Sequence, residues 1–317
     1  MLFETPLQSR ERKYRETVSL VLKGIAFFML LRFTIYFAAS VLLLLMKRGV
    51  LPEVPYDVLN SLTMLFFSLV GLTLPFFFVA KDAGLTRKQV FRFRKSACGN
   101  DLLFFFAGLG VCLGLNIFVG LLTQLLRAAG VPVSLPAVQS SEYTAVNIII
   151  LICSALLAGL LEELSMRGVL LPPLQKYGGW FAVLLVGILF GSMHTNFMQA
   201  LFAAAVGTMF GFIAAKTHSI LLPVLIHISN NFIVESSILH IPGLPLPLEN
   251  TMRGMINLSL VAAGIVCLIV LMAKDSHFFR LEPAEEPLPL GIRVRGIFGS
   301  PFFWAFLAML FITWWML

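Results

Sequence analysis

The chain has 317 residues, of which 59% are hydrophobic and only 12% charged, and its mean hydropathy is +0.92. So few charges could not cover a water-soluble protein of this length, which excludes an ordinary globular domain and implies a polytopic membrane protein. The net charge of +7 comes without an aromatic-interleaved basic groove, so it reads as a topology signal and no nucleic-acid partner is expected.

A membrane span needs about 20 apolar residues. In chain order such segments fall near 19–46, 59–80, 102–126, 144–171, 180–195, 197–216, 219–239, 254–273 and 298–317. The expected fold class is therefore all-α: a transmembrane bundle of eight to nine spans around a polar cavity. The first segment follows a polar N-terminal stretch and is too long for a signal-peptide core, so it is expected to stay as a span. It carries Lys23 and Arg32, which either snorkel or face the bundle interior. The fifth runs almost directly into the sixth.

With the N-terminus inside, the inner segments would hold sixteen basic residues, six of them between Lys81 and Lys95. The outer segments would hold four, Lys47, Arg48, Arg127 and Arg253. That asymmetry places the N-terminus in the cytoplasm. In the stretch from Arg87 to Lys95 basic residues alternate with Val90, Phe91 and Phe93, as in a topogenic loop on the inner leaflet that could touch anionic lipid. Residues 281–290 form a proline-rich linker, and Trp304, Trp314 and Trp315 suit interfacial anchors. Cys112, Cys153 and Cys267 lie in apolar runs and Cys98 in the basic loop, so no disulfide framework is expected.

Glu162, Glu163 and Arg167 are the only charges between Thr144 and Leu171. One ionisable residue at membrane depth costs at least ~2.5 kcal/mol on insertion scales, so three in a turn and a half need a reason. Glu163 and Arg167 are four apart and share a helix face, where they can pair. Glu162 lies about 100° around the helix from Glu163 and is left without that partner. A buried ion pair that fixes helix packing explains two of the three charges and leaves one carboxylate over.

Later segments supply candidate partners. Phe190 and His194 lie one turn apart on the fifth, and His227 and Asn231 one turn apart on the seventh. Rises along the helices put Glu162 ~14 Å from Leu171, His227 ~12 Å from Ser219 and His194 ~21 Å from Trp180, so His194 fits least well. Glu162, His194 and His227 also form a two-His, one-carboxylate set able to take Zn²⁺ with an open position. No HExxH occurs, which excludes the zincin helix arrangement.

In this order, Glu162-Glu163-x-x-x-Arg167, Phe190-x-x-x-His194 and His227-x-x-x-Asn231 resemble the three motifs of the CPBP intramembrane proteases. That family includes CAAX prenyl proteases and bacteriocin-processing or immunity proteins. The resemblance covers about residues 144–240, between N-terminal helices at 1–143 and C-terminal helices at 241–317. It implies an endopeptidase in a bacterial cytoplasmic membrane, acting on a membrane-associated protein or peptide, prenylated or not. Glu162 with His194 would activate water, and His227 and Asn231 would stabilise the oxyanion. Glu163, Arg167 and Phe190 would support them. No cofactor is favoured; with Zn²⁺, its ligands would be Glu162, His194 and His227. His218 stands where family members often carry Gly, and His240 and His277 are given no role. A peptide-binding or immunity protein of the same fold is the main alternative. An ion-coupled transporter would predict inverted repeats, which are not visible.

Overall fold

The structure, a computed structural model, describes residues 5–136, 140–239 and 243–315, the side chains of Ile238 and Trp315 excepted. All regular structure among them is helical. Besides two short turns of helix at Arg87–Val90 and Ser236–Ile238, the helices in chain order are α1 (Pro6–Lys47), α2 (Tyr56–Asp82), α3 (Asp101–Ala128), α4 (Thr144–Gln175), α5 (Gly179–Ser192), α6 (Phe197–Thr217), α7 (Leu221–Glu235), α8 (Leu246–Lys274), α9 (Leu290–Phe298) and α10 (Pro301–Trp315).

Six of these, α1, α2, α3, α4, α6 and α8, are long and apolar enough to cross a membrane. A seventh span forms if α9 and α10, bent by 62° at their junction, count as one. Every apolar segment expected from the sequence is thus a helix, but α5 and α7 hold only 14 and 15 residues. At 1.5 Å per residue they reach ~21–22 Å, short of a ~30 Å hydrocarbon core. Both are cut by turns. Asn196 caps the start of α6 by accepting from the Gln199 N–H, and His218 ends α6 in the left-handed region at φ 53°. This is the backbone conformation glycine adopts without cost, so His218 holds a position that suits glycine. The His218 ring meets Glu282 at 3.1 Å and so ties the proline-rich linker to the end of α6. His240 lies outside the described residues.

The first helix shows how sequence sets packing. Thr5 and Gln8 form a capping box with Pro6 in the first turn. Tyr14, Val18, Val21, Leu22, Ile25, Phe28 and Met29 recur at three- and four-residue steps and are all buried. They face α2, α9 and α10. Large apolar side chains such as Phe37, Phe77, Phe118 and Ile188 point outward, as lipid-facing positions should. Trp304 and Trp314 are exposed too, with the Trp304 indole donating to the Phe298 carbonyl at 3.0 Å.

The basic loop is sewn to the chain before α7. Ala97 N–H donates to Thr217 O at 3.2 Å, Ile220 N–H to Arg92 O at 3.1 Å, and Ser219 Oγ to Arg94 O at 2.5 Å. Nearby, Lys216 bonds Asp275 at 2.8 Å, joining α6 to the end of α8 and holding the aspartate carboxyl below its usual range. The chain is an integral membrane protein built as a helical bundle.

Candidate active site

Two π-helical turns bracket the glutamates on α4. Residues Ile152–Leu157 and Leu164–Leu170 take the wider turn, and Ala158–Glu163 between them is ordinary α-helix. Such turns are uncommon and recur at functional sites. Pro172 and Pro173 explain part of the second. Neither has an N–H to give, so in π register the carbonyls of Arg167 and Gly168 lose their helical partners. Arg92 supplies one replacement, donating from Nη2 to the Arg167 carbonyl at 2.8 Å. The helix thereby continues to Gln175 rather than stopping at Leu171. Glu162 then lies ~20 Å from the end of α4 and His194 ~22 Å from the start of α5, which removes the depth mismatch.

Glu163 and Arg167 pair as their spacing predicts, at 2.8 Å and with both side chains fully buried. Arg167 also donates from Nη2 to the Gly207 carbonyl at 2.6 Å. Its guanidinium lies between the rings of Phe190 and Phe210, 5.0 Å and 5.5 Å from their centroids. A Cβ on residue 207 would come within 2.8 Å of Phe190 and 3.2 Å of Arg167, so only glycine leaves room there. Cation–π contact and two hydrogen bonds offset part of the cost of burying this charge.

His227 completes the cluster. Its Nδ1 is 3.0 Å from Glu163 Oε1. That carboxylate oxygen already accepts from Arg167 and acts as an acceptor here too, so Nδ1 carries the proton. Nε2 faces the other way, 3.9 Å from Glu162 Oε2. That gap is too long for a hydrogen bond but lets one water bridge both atoms. Glu162 retains 15% side-chain exposure, whereas Glu163 has none. Close approach of α7 to α4 makes this possible. A Cβ on Gly159 would meet the Ile228 side chain at 2.6 Å and its backbone nitrogen at 2.9 Å.

His194 is not on the fifth helix, as the sequence suggested, but in the turn after α5 ends at Ser192. Its Nδ1 lies 3.1 Å from the Phe190 carbonyl, which fixes the proton on Nδ1 and leaves Nε2 as an acceptor. The Phe190 ring stands edge-on to both histidines, at 5.3 Å from His194 and 6.0 Å from His227. Among the described residues no hydrogen bond or ion pair joins His194 to Glu162.

Asn231 donates to the Ser154 carbonyl in the first π turn at 2.9 Å and accepts from Asn230 at 3.1 Å. Asn230 in turn accepts from Asn116 of α3 at 2.9 Å. This amide chain keeps one Asn231 N–H uncommitted and fixes the direction of the group.

Three neighbours escaped the motif reading. Arg32 of α1 donates to the Met193 carbonyl and lies 3.5 Å from Thr195 Oγ1, so it clamps the turn that carries His194. Its charge in an apolar run was the available signal. Asn116 and Asn230 gave only a lone amide and a doubled one. His277 contributes only backbone, its carbonyl accepting from Lys216 at 3.2 Å. Among the described residues no three His, Cys, Asp or Glu side chains gather as a metal-ligand set, and the trio Glu162, His194 and His227 is no exception.

Residues 144–233 match the family model described as type II CAAX prenyl endopeptidase Rce1-like. The chain is also 31% identical over 88 residues to the Bacillus subtilis (strain 168) protein named "Putative membrane peptidase YdiL". That match covers 27% of this chain and 36% of the relative, so the chain spans about a third of that protein's length. No solved structure matches. The family match falls on the helices that carry the buried glutamates, histidines and arginine. Residues 144–233 are thus similar to the CPBP/CAAX protease family over the stretch that holds the buried charges.

Proposed function

We propose that this protein is an intramembrane endopeptidase that cleaves a membrane-associated or lipidated polypeptide. One observation carries the reading: a partly accessible carboxylate, Glu162, stands free beside His227 while its neighbour Glu163 is neutralised by Arg167. A purely structural ion pair would need only one of the two glutamates.

In this reading a water lies between Glu162 and the Nε2 acceptor of His194. Glu162 takes its proton, and the oxygen attacks the scissile carbonyl carbon. Positioned general-base catalysis of this kind typically contributes 10²–10⁴-fold. The carbonyl oxygen becomes an oxyanion, which accepts hydrogen bonds from the free N–H of Asn231 and from His227. With Nδ1–H committed to Glu163, His227 donates to the oxyanion only when its Nε2 also carries a proton. Loss of one such donor generally costs ~2.7–4 kcal/mol. Glu162 then returns its proton to the leaving amine as the C–N bond breaks, which restores the base.

The test compares peptides released from membranes of cells that express wild-type or Glu162→Gln protein at equal levels. Specific cleavage products should vanish in the variant, while the protein still inserts and elutes as one species. An unchanged set of products would remove the protease assignment from this site and favour a peptide-binding role.

A further inference from the structure

A cavity of about 570 Å³ lies away from the glutamates, between the N-terminal part of α1 and the junction of α9 with α10. Its origin is mechanical. The α9 helix is clamped to α1, because Tyr14 donates its hydroxyl to the Arg293 carbonyl at 2.8 Å. A Cβ on Gly296 would lie 2.6 Å from the Tyr14 ring, so glycine permits that contact. The chain then bends by 62° into α10. The two helices cannot both follow α1 through that bend, and a wedge opens at Gly299, Ser300 and Pro301.

The chemistry of the wedge is divided. Arg15, Lys23 and Arg295 line it against a single carboxylate, Glu16. Arg15 already bonds Glu11 at 2.6 Å, and Lys23 lies 3.6 Å from Asp82. The Arg295 side chain makes no hydrogen bond or ion pair among the described residues, while its carbonyl accepts from the Gly299 N–H at 2.9 Å. The hydroxyls of Ser19 and Ser300, 3.0 Å apart, form a polar floor. Leu20 and Phe302 supply an apolar wall. The cavity therefore sits where α1 passes from its charged first turns to its apolar length, and where charge-free α10 begins. That is the level of phospholipid headgroups.

We infer that this wedge binds the phosphate of an anionic phospholipid, whose acyl chains run along Leu20 and Phe302. Cations and hydroxyls suit any phosphate, but the apolar wall continuous with α10 favours one attached to a lipid. The site is independent of the proteolytic reading. Binding there would pin α9 and α10 against α1, the helix whose Arg32 holds the His194 turn.

Native mass spectrometry tests this, on protein released from nanodiscs holding equal amounts of phosphatidylglycerol and phosphatidylcholine. Phosphatidylglycerol should be retained preferentially. Lys23→Gln and Arg295→Gln should each lower that preference about fivefold, at the scale of one interfacial cation. Lys47→Gln, at the far end of α1, should leave it unchanged. Millimolar inorganic phosphate should not displace the lipid. Equal retention of both lipids, or a preference that survives both substitutions in variants of normal elution, would overturn the inference. Displacement by inorganic phosphate would overturn the lipid assignment.

Discussion

Glu163 receives hydrogen bonds from Arg167 at 2.8 Å and from His227 at 3.0 Å on the same oxygen, and both partners are buried with it. Its second oxygen is buried without a hydrogen-bond partner among the described residues. The pairing is therefore already strained for partners, and removing Arg167 would leave a buried carboxylate leaning on one imidazole. We expect Arg167→Ala to destabilise the protein by about 3–5 kcal/mol, seen as a lower unfolding midpoint in detergent and lower yield. Arg167→Lys should rescue little of this. A lysine cannot bond Glu163 and the Gly207 carbonyl while also lying flat between Phe190 and Phe210. Glu162→Gln should behave oppositely, with processing lost and stability kept, because that side chain makes no hydrogen bond among the described residues. The split between the two glutamates was legible from their spacing alone. That His227 spends Nδ1 on Glu163 was not, because it depends on how α7 meets α4.

At the scale of the helix, Gly159 decides that meeting. Its missing side chain lets Ile228 approach, and the same contact sets His227 beside both glutamates. Gly159→Val should push α7 away and cost about 1–3 kcal/mol by overpacking, measured as thermal unfolding in detergent. Processing should fall further than stability, since the 3.9 Å gap between His227 and Glu162 would widen. The two π turns on α4 were not foreseeable from an apolar run with uniform helical character. The proline pair hinted at a break, yet Arg92 from a distant loop supplies a donor that keeps the helix going. His194 shows the converse. Its spacing from Phe190 suggested a helical face, but α5 stops at Ser192 and Arg32 holds the turn that follows.

Over the whole molecule, nine apolar segments were read from the sequence; among the described residues six helices are long enough to cross, a seventh if the bent α9–α10 pair is one span, and α5 and α7 are too short to cross alone. The side of the membrane on which the basic loop lies rests on charge asymmetry and can be measured directly. Cys98 is the exposed cysteine in that loop, whereas Cys112 and Cys153 are buried and Cys267 is half-buried. A membrane-impermeant maleimide should label Cys98 in inside-out vesicles and not in right-side-out ones. Labelling in the reverse pattern would invert the proposed topology. Arg32 and Asn116, both outside residues 144–233, reach the site from α1 and α3, so its architecture extends beyond the segment shared with relatives.

By itself the sequence determined the membrane bundle, because apolar length and charge scarcity follow from composition. It also determined the Glu163–Arg167 pair, because three and a half residues per turn leave that spacing little choice. The three motifs, read in order, fall within the stretch that the family model matches. Tertiary structure alone decided which nitrogen of each histidine is free, which carbonyls Arg32, Arg92 and Arg167 satisfy, and how Asn116 orients Asn231. Those depend on contacts between helices far apart in the chain, where a missing Cβ at Gly159 or Gly207 sets distances that no local pattern encodes.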